Sequence, residues 1–133
     1  MFRQFLLGKL HRCTVTRADP DYIGSVSVDR NLMDAAGFLP YEKVLIVNVN
    51  TGARFETYVL EAPAGSRAIG MNGGAALLAK TGDICLIMAY AYVKDGEVVR
   101  PKTVIIGDGN EIEAVIEEEV AVPVLSDEAI AIG

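Results

Sequence analysis

The chain has 133 residues, of which 51% are hydrophobic and 23% are charged, and its formal net charge is −6. This length corresponds to one domain. Residues 1–102 carry twelve basic and ten acidic side chains, whereas residues 103–133 carry eight acidic side chains and no basic one. Because nucleic-acid binding requires clustered lysine and arginine, this distribution excludes a nucleic-acid partner. We expect about residues 115–133 to form an acidic, solvated C-terminal tail.

The apolar segments and the cysteines bear on location and assembly. The longest apolar run, Ile84–Val93, has ten residues, whereas a membrane-spanning helix needs about 20. The N-terminal apolar stretch contains Arg3 and Gln4 and lacks the cleavage site of a signal peptide. Cys13 and Cys85 have neither metal nor disulfide spacing, so each is expected to be a small buried hydrophobe. We therefore predict a cytoplasmic protein with no membrane partner, whose apolar excess is covered by oligomerisation.

In chain order, glycine-rich turns separate short strands. We predict strands at Leu10–Thr16, Ser25–Val28, Lys43–Val49, Arg54–Leu60, Ala68–Met71, Ile84–Val93 and Thr103–Ile106, and short helices at Asn31–Ala36 and Ala75–Ala79. Alternation in the first strand predicts His11, Cys13 and Val15 on one face. Two similar halves, each with a short helix, a polar turn and a buried strand, end in Val44–Val47 and Ile84–Ile87. Interleaved halves of this kind favour a small closed barrel, which removes exposed sheet edges.

The common catalytic motifs are absent from the sequence. The chain has one histidine, no histidine–carboxylate cluster at metal spacing, no GxSxG motif and no phosphate-binding loop. We therefore predict no metal site. Arg54 and Tyr58 lie four residues apart, so a regular strand places them on one face and Thr57 on the other. The planar guanidinium of Arg54 suits a carboxylate ligand.

An ordered set of short motifs extends from the N-terminus to about residue 110. It comprises Gly8-Lys9-Leu10-His11-Arg12, Val15-Thr16-Arg17-Ala18-Asp19, Tyr22-Ile23-Gly24-Ser25, Asp34-Ala35-Ala36-Gly37, Asn48-Val49, Gly52, Arg54-Phe55-Glu56-Thr57-Tyr58, Gly65-Ser66-Arg67, Asn72-Gly73-Gly74-Ala75-Ala76 and Gly82-Asp83. In this order the set resembles the bacterial pyruvoyl-dependent aspartate 1-decarboxylase family. Each motif by itself is weakly specific, and the ordered set carries the resemblance.

The resemblance implies a fold, an assembly and a reaction. The expected fold is mainly β, a small six-stranded double-psi β-barrel with short helices, assembled as a homotetramer. The expected reaction converts L-aspartate to β-alanine and carbon dioxide, which supplies pantothenate and coenzyme A biosynthesis. The whole chain, residues 1–133, is then one domain that cleaves itself into residues 1–24 and 25–133.

The resemblance also implies how the cofactor arises. The Ser25 hydroxyl attacks the Gly24 carbonyl, and the ester that forms breaks down to leave a pyruvoyl group derived from Ser25, with no metal and no pyridoxal phosphate. Thr57 polarises the Gly24 carbonyl during cleavage and also contacts substrate, which would require a twist or bulge in its strand. Tyr58 donates the proton that the product receives.

Further residues are expected to bind substrate or to support these groups. By resemblance, the substrate-binding residues are Lys9, Arg54, Thr57, Gly73, Gly74 and Ala75, and the supporting residues are His11, Tyr22 and Asn72. For His11, a structural role in the core or at an interface is an equal alternative. Gly74 stands where the family more often has alanine, and an added glycine is expected to loosen the loop. The acidic C-terminal segment also departs from the family, so no role is transferred beyond about residue 115.

Two alternatives remain at this stage. The first is a pyruvoyl-dependent decarboxylase of another amino acid, against which the cations Lys9 and Arg54 favour an acidic substrate. The second is a non-catalytic double-psi barrel that serves as a recognition module, which would have no need of Gly24-Ser25, Thr57 and Tyr58 together. Whether cleavage is spontaneous or requires a maturation factor also stays open.

Overall fold

The computed structural model describes residues 1–125. This part of the chain contains eleven strands: β1 (Phe2–Thr14), β2 (Arg17–Asp19), β3 (Ser25–Asp29), β4 (Lys43–Asn48), β5 (Arg54–Ala62), β6 (Ile69–Asn72), β7 (Ile84–Lys94), β8 (Val98–Val99), β9 (Lys102–Ile106), β10 (Ile112–Glu117) and β11 (Val120–Ala121). The helix α1 spans Arg30–Ala36, and two short 3₁₀ helices span Gly73–Leu77 and Asp108–Asn110. Over the same residues, no helix has the length and apolar character needed to cross a membrane.

Nine of the strands form one sheet in the order β10, β9, β1, β7, β4, β5, β3, β6, β2. β1 and β2 are far apart in this strand order, but only Val15 and Thr16 separate them in the chain. The two regions of the sheet that contain β1 and β2 must therefore lie next to one another. The Val15 N–H donates to the Asp83 carbonyl at 2.9 Å, and the Thr16 N–H donates to the Ile69 carbonyl at 2.8 Å. These bonds join the β1–β2 segment to both flanks, so this segment closes a six-stranded circuit with β7, β4, β5, β3 and β6. The mainly β fold predicted from the sequence is confirmed, and the circuit agrees with a small barrel, although the described residues contain more strands than the six expected.

The core fills the inside of this circuit. Its fully buried side chains come from nearly every strand and from α1, and the largest are Leu10, Leu32, Met33, Ile46, Ile69, Met71 and Ile87. The two strands that end the similar halves of the sequence are neighbours, since Ile46 on β4 pairs with Ile87 on β7. Removing this apolar surface from water is the main force that holds the barrel together.

Several local predictions are confirmed. The two strands expected at Lys43–Val49 and Arg54–Leu60 form β4 and β5, which pair antiparallel with Val47 opposite Arg54 and Lys43 opposite Tyr58. The helix α1 ends where Gly37 adopts a left-handed conformation with φ 79°, which glycine adopts without steric cost. The helix expected at Ala75–Ala79 begins earlier, at Gly73, and is a 3₁₀ helix.

The predicted face of the first strand is wrong in one respect. A register shift separates His11 from Cys13, and Arg12 between them has φ 67°. Such a bulge adds a residue and reverses the alternation that follows it. Cys13 and Val15 therefore enter the core, whereas His11 is half-buried on the opposite side.

The first part of the predicted acidic tail is ordered. It begins inside β10, which pairs antiparallel with β9 and whose six residues are all exposed. β11 pairs with β8 in a separate two-stranded sheet. The rest of the predicted tail, residues 126–133, lies outside the described residues.

Candidate active site

Ser25 occupies a strained position at the start of β3. Its side chain is 1% exposed, and its backbone φ is 129°. Residues other than glycine rarely adopt this backbone conformation. It costs on the order of 1–3 kcal/mol and persists only where the surrounding structure enforces it. The peptide bond between Gly24 and Ser25 is therefore followed directly by a residue with a strained backbone, at the point where β3 begins.

Hydrogen bonds from Asn72 hold the Ser25 side chain. Asn72 is fully buried on β6, directly opposite Ser25 in the antiparallel β3–β6 pair. Its Nδ2 donates to Ser25 Oγ at 3.0 Å and to Ser27 Oγ at 3.0 Å. The two hydrogens of one amide group thus fix two serine hydroxyls on the same face of β3.

A cavity of about 350 Å³ opens at the N-terminal end of β3. Its lining includes Gly24, Ser25, Phe55, Glu56, Thr57, Tyr58, Asn72, Gly74, Ala75 and Leu78. β3 pairs with β5 only from Val26 and Val59 onward, so the edge of β5 before Val59 is free of β3. The cavity occupies this unpaired edge, next to the Gly24–Ser25 bond.

Thr57 and Tyr58 both reach this cavity without a bulge. The β4–β5 register runs through five consecutive pairs from Arg54 to Tyr58 with no shift, so no bulge interrupts β5 against β4 at Thr57, and a twist is the remaining part of the expectation. Thr57 and Tyr58 are successive residues of β5, and both can line one cavity because the cavity lies along the edge of β5 that is not paired with β3. The Tyr58 ring is half-buried and stacks on Tyr41, with centroids 6.1 Å apart and planes at 18°.

The glycines of the 3₁₀ helix differ in their surroundings. Gly73 has φ 61°, and a Cβ atom there would lie 2.9 Å from Gly24 Cα and 3.0 Å from the Tyr22 carbonyl oxygen. Gly73 therefore permits close contact with the segment that precedes Ser25. Gly74 and Ala75 line the cavity, and a Cβ on Gly74 would meet nothing within 4 Å.

The structure does not bring all predicted residues to the cavity. In the single chain, the cavity lining includes none of the predicted residues Lys9, His11, Tyr22, Arg54 and Gly73. Lys9 is half-buried on β1 between Met88 and Thr103. Arg54 is exposed, but alternation places it on the same face as the lining residues Glu56 and Tyr58.

His11 and Tyr22 lie in different environments. His11 Nδ1 is buried with no hydrogen-bond partner among residues 1–125. Burial, followed by the charges of Lys9 and Arg12, lowers the pKa of His11 from its ordinary value. Tyr22 is 51% exposed, and its ring lies 5.8 Å from the guanidinium carbon of Arg17.

Leu78 lines the cavity, whereas Ser27 and Arg17 bond to Asn72 without lining it, and the sequence did not single out any of the three. Ser27 follows Ser25 by two residues, so alternation along β3 was a usable signal for their shared face. Arg17 and Leu78 had no local signal, because Arg17 meets Asn72 across 55 positions of sequence and Leu78 reaches the cavity from a different segment than Ser25.

Together these features define a small β-barrel protein with a cavity built around a buried, strained serine at the first position of a strand. The chain belongs to the aspartate decarboxylase family, since a sequence profile of that family matches residues 1–113. This assignment agrees with the resemblance seen in the sequence.

Individual relatives cover nearly the whole chain. The Aspartate 1-decarboxylase of Neisseria meningitidis is 48% identical over 121 residues, which are 90% of this chain and 95% of the relative. That of Clostridium acetobutylicum is 50% identical over 121 residues, with the same coverage of 90% and 95%. That of Bacillus subtilis is 45% identical over 127 residues, which are 94% of this chain and 100% of the relative.

Proposed function

We propose that this protein is a self-processing, pyruvoyl-dependent decarboxylase that converts L-aspartate to β-alanine and carbon dioxide, supplying pantothenate and coenzyme A biosynthesis in the cytoplasm. Membership of the aspartate decarboxylase family and the relatives named Aspartate 1-decarboxylase support the reaction. The observation that carries the self-processing is Ser25, which is buried and strained and directly follows Gly24 at the cavity.

The proposed cleavage begins with Ser25 itself. Its Oγ attacks the Gly24 carbonyl carbon, the bond from that carbon to the Ser25 nitrogen breaks, and the nitrogen takes the hydroxyl proton. The Cβ–Oγ bond of the resulting ester then breaks as Cα loses a proton, and Oγ leaves as part of the Gly24 carboxylate. Water replaces the nitrogen, which departs as ammonia. Strain at Ser25 favours the first step, because breaking the peptide bond releases it.

The residues around position 25 fit a pyruvoyl group there. The site is lined in part by Asn72, Thr57 and Ala75, and its volume of about 350 Å³ lies within the usual range for small ligands. A pyruvoyl group held by these residues would supply a carbonyl for the substrate amine and an electron sink for the loss of carbon dioxide. Thr57 lies on the cavity wall with Gly24, in agreement with a role beside the scissile carbonyl.

Tyr58 is the proposed proton donor to the product. Tyr58 is one of the residues that line the cavity, and stacking on Tyr41 restricts its ring. A general acid must be held within hydrogen-bond distance of the atom that it protonates, and a stacked ring meets this requirement better than a free one.

Arg54 and Lys9 are the proposed anchors for the two carboxylates of aspartate. Arg54 precedes Glu56 by two residues and therefore lies on the same face of β5. In a regular strand the two Cα atoms are about 6.6 Å apart. The Glu56 carboxylate is already paired with Lys43 at 2.7 Å, which reduces its repulsion of an anionic substrate. Gly73, Gly74 and Ala75 complete the proposed binding surface.

A homotetramer is the proposed assembly. Ile23 and Leu77, which adjoin the cavity-lining residues Gly24 and Leu78 in the sequence, are 81% and 74% exposed, and further large apolar side chains are exposed elsewhere. Exposed apolar surface typically marks a protein interface where it forms a contiguous patch. A second copy that covers it would enclose the cavity and offer a route for a cation such as Lys9 to approach it. Light scattering that finds a stable monomer would contradict this assembly.

Three variants separate formation of the cofactor from its use. Ser25→Ala lacks the attacking hydroxyl, so it should stay uncleaved and inactive. Tyr58→Phe keeps the ring but loses the proton, so it should cleave normally and produce β-alanine roughly 10²-fold more slowly. Arg54→Ala should cleave normally and chiefly raise the KM for aspartate, because it removes a carboxylate anchor.

The measurements are mass spectrometry for cleavage and β-alanine production for turnover. The fragment of residues 25–133 should be lighter, by the mass of one ammonia, than the same fragment with an N-terminal serine. A parent protein that remains a single chain would refute the self-processing. A Tyr58→Phe variant with the parent turnover rate would show that Tyr58 only packs.

A further inference from the structure

Arg17 bonds to Asn72, and no predicted role accounts for this contact. The parallel pair of β2 and β6 places Arg17 beside Gly70 and Asp19 beside Asn72. The antiparallel pair of β6 and β3 then places Gly70 beside Ser27. Arg17 thus shares one face of three adjacent strands with the groups that hold Ser25.

Gly70 makes room for the guanidinium. A Cβ atom at Gly70 would lie 3.2 Å from Arg17 Nη2 and 3.5 Å from Arg17 Nε. The guanidinium therefore lies across the bare backbone of β6. From this position its Nη2 donates to Asn72 Oδ1 at 3.4 Å.

This contact decides which way the Asn72 amide points. A guanidinium has only donors, whereas an amide has an oxygen acceptor at one end and an NH₂ donor at the other. Because the donor-only Arg17 faces one end, the oxygen belongs at that end and Nδ2 at the other. Nδ2 then donates to Ser25 Oγ. A flipped amide would turn its NH₂ toward the cation and present only an acceptor to the two serines, so neither serine oxygen would receive an N–H.

We infer that Arg17 is a positioning residue for self-cleavage, which acts by orienting the Asn72 amide toward Ser25 Oγ. In the elimination step, negative charge develops on Oγ as it leaves with the Gly24 carboxylate, and an N–H donor already directed at this oxygen stabilises that charge. The cation on Oδ1 also polarises the amide, which strengthens the donor at its other end. The inference rests on the proposed self-processing.

Arg17 also contacts the segment on the other side of the scissile bond. Its guanidinium carbon lies 5.8 Å from the centroid of the Tyr22 ring, within the range of a cation–π interaction. Tyr22 precedes Gly24 by two residues. One side chain therefore contacts the segment before the cleaved bond directly and the serine after it through Asn72.

The test compares cleavage rates of three variants with that of the parent. Arg17→Met keeps a stem of similar length but has neither charge nor donor. Arg17→Lys retains a charged donor. Arg30→Met is the matched control, because Arg30 is also a surface arginine and bonds to Asp34 and Glu61 at 2.9 and 2.8 Å at the opposite end of β3.

We expect Arg17→Met to cleave roughly tenfold more slowly than the parent, the loss typical of one charge-assisted hydrogen bond. The cleavage rate of Arg17→Lys should lie between those of Arg17→Met and the parent, and Arg30→Met should cleave at the parent rate. Once Arg17→Met is fully cleaved, its β-alanine production per cleaved chain should stay within about twofold of the parent, because the Ser25 Oγ that the amide served has departed with Gly24. A general folding defect would lower both rates.

Three outcomes would overturn the inference. The first is parent-rate cleavage in Arg17→Met, and the second is equal slowing in Arg30→Met. The third is loss of cleavage and of turnover per cleaved chain in the same proportion. A parent protein that never cleaves is a different result, since it would refute the proposed function itself and the inference with it.

Discussion

Replacing Gly73 with alanine tests how tightly the structure constrains the segment before Ser25. The added Cβ would lie 2.9 Å from Gly24 Cα, 3.1 Å from Gly24 N and 3.0 Å from the Tyr22 carbonyl oxygen. These are backbone atoms, which cannot rotate away as a side chain can. The left-handed φ of 61° adds about 1–2 kcal/mol for a residue with a Cβ. With the close contacts, we expect a loss of about 2–3 kcal/mol in the free energy of unfolding.

Gly74→Ala is the matched control. A Cβ there meets nothing within 4 Å and Gly74 is not among the glycines with positive φ. The substitution should be neutral or stabilise by about 0.4–1 kcal/mol, because alanine restricts the unfolded chain. It also introduces the residue that the family more often has at this position.

The assay is urea unfolding of both variants in a Ser25→Ala background, where neither chain can cleave. Cleavage rates are then measured with Ser25 restored, and Gly73→Ala should be slower because Tyr22 and Gly24 are displaced. Equal stability and equal cleavage in the two alanine variants would refute the role of close packing at Gly73.

Two further predictions concern buried titratable groups. Burial raises the pKa of Cys85 to about 11 and raises the pKa of Cys13 as well. At about pH 8, neither thiol should therefore be alkylated in the folded protein, and both should react after unfolding. Rapid modification of the folded protein, seen as added mass, would contradict this prediction. The pKa of His11 is lowered from 6.5 by burial and nearby cations, so the unfolded chain binds a proton that the folded chain does not. Its contribution to stability is therefore present above pH 6.5 and is lost as the pH falls toward the lowered folded-state pKa. In His11→Gln the urea midpoint should vary less with pH in this window, and an unchanged pH dependence would contradict the assignment.

The local elements of this protein are largely determined by its sequence. The α1 helix, its end at Gly37 and the β4–β5 hairpin each depend on residues that are neighbours along the chain. The ordered motifs around Gly24-Ser25 likewise indicated the family, which the sequence profile confirmed. The proposed roles of Thr57 and Tyr58 came from the same resemblance and stay predictions.

Only the tertiary structure decided the contacts between distant segments. The bulge at Arg12 has a left-handed φ at a residue type that does not signal one, and it alone reversed the expected face of His11. Cys13 and Cys85, which look isolated in the sequence, are opposite one another on β1 and β7. Asn72 reaches Ser25 across 47 positions of sequence.

The physical reason is the range of the interactions. Turns, caps and alternation result from steric and hydrogen-bonding preferences within a few residues, so the sequence displays them. Barrel closure instead pairs β2 with β6 and β6 with β3, and the free energy that selects these pairs comes from burying the whole core at once. The position of Arg17 beside the Asn72 amide exists only after that closure.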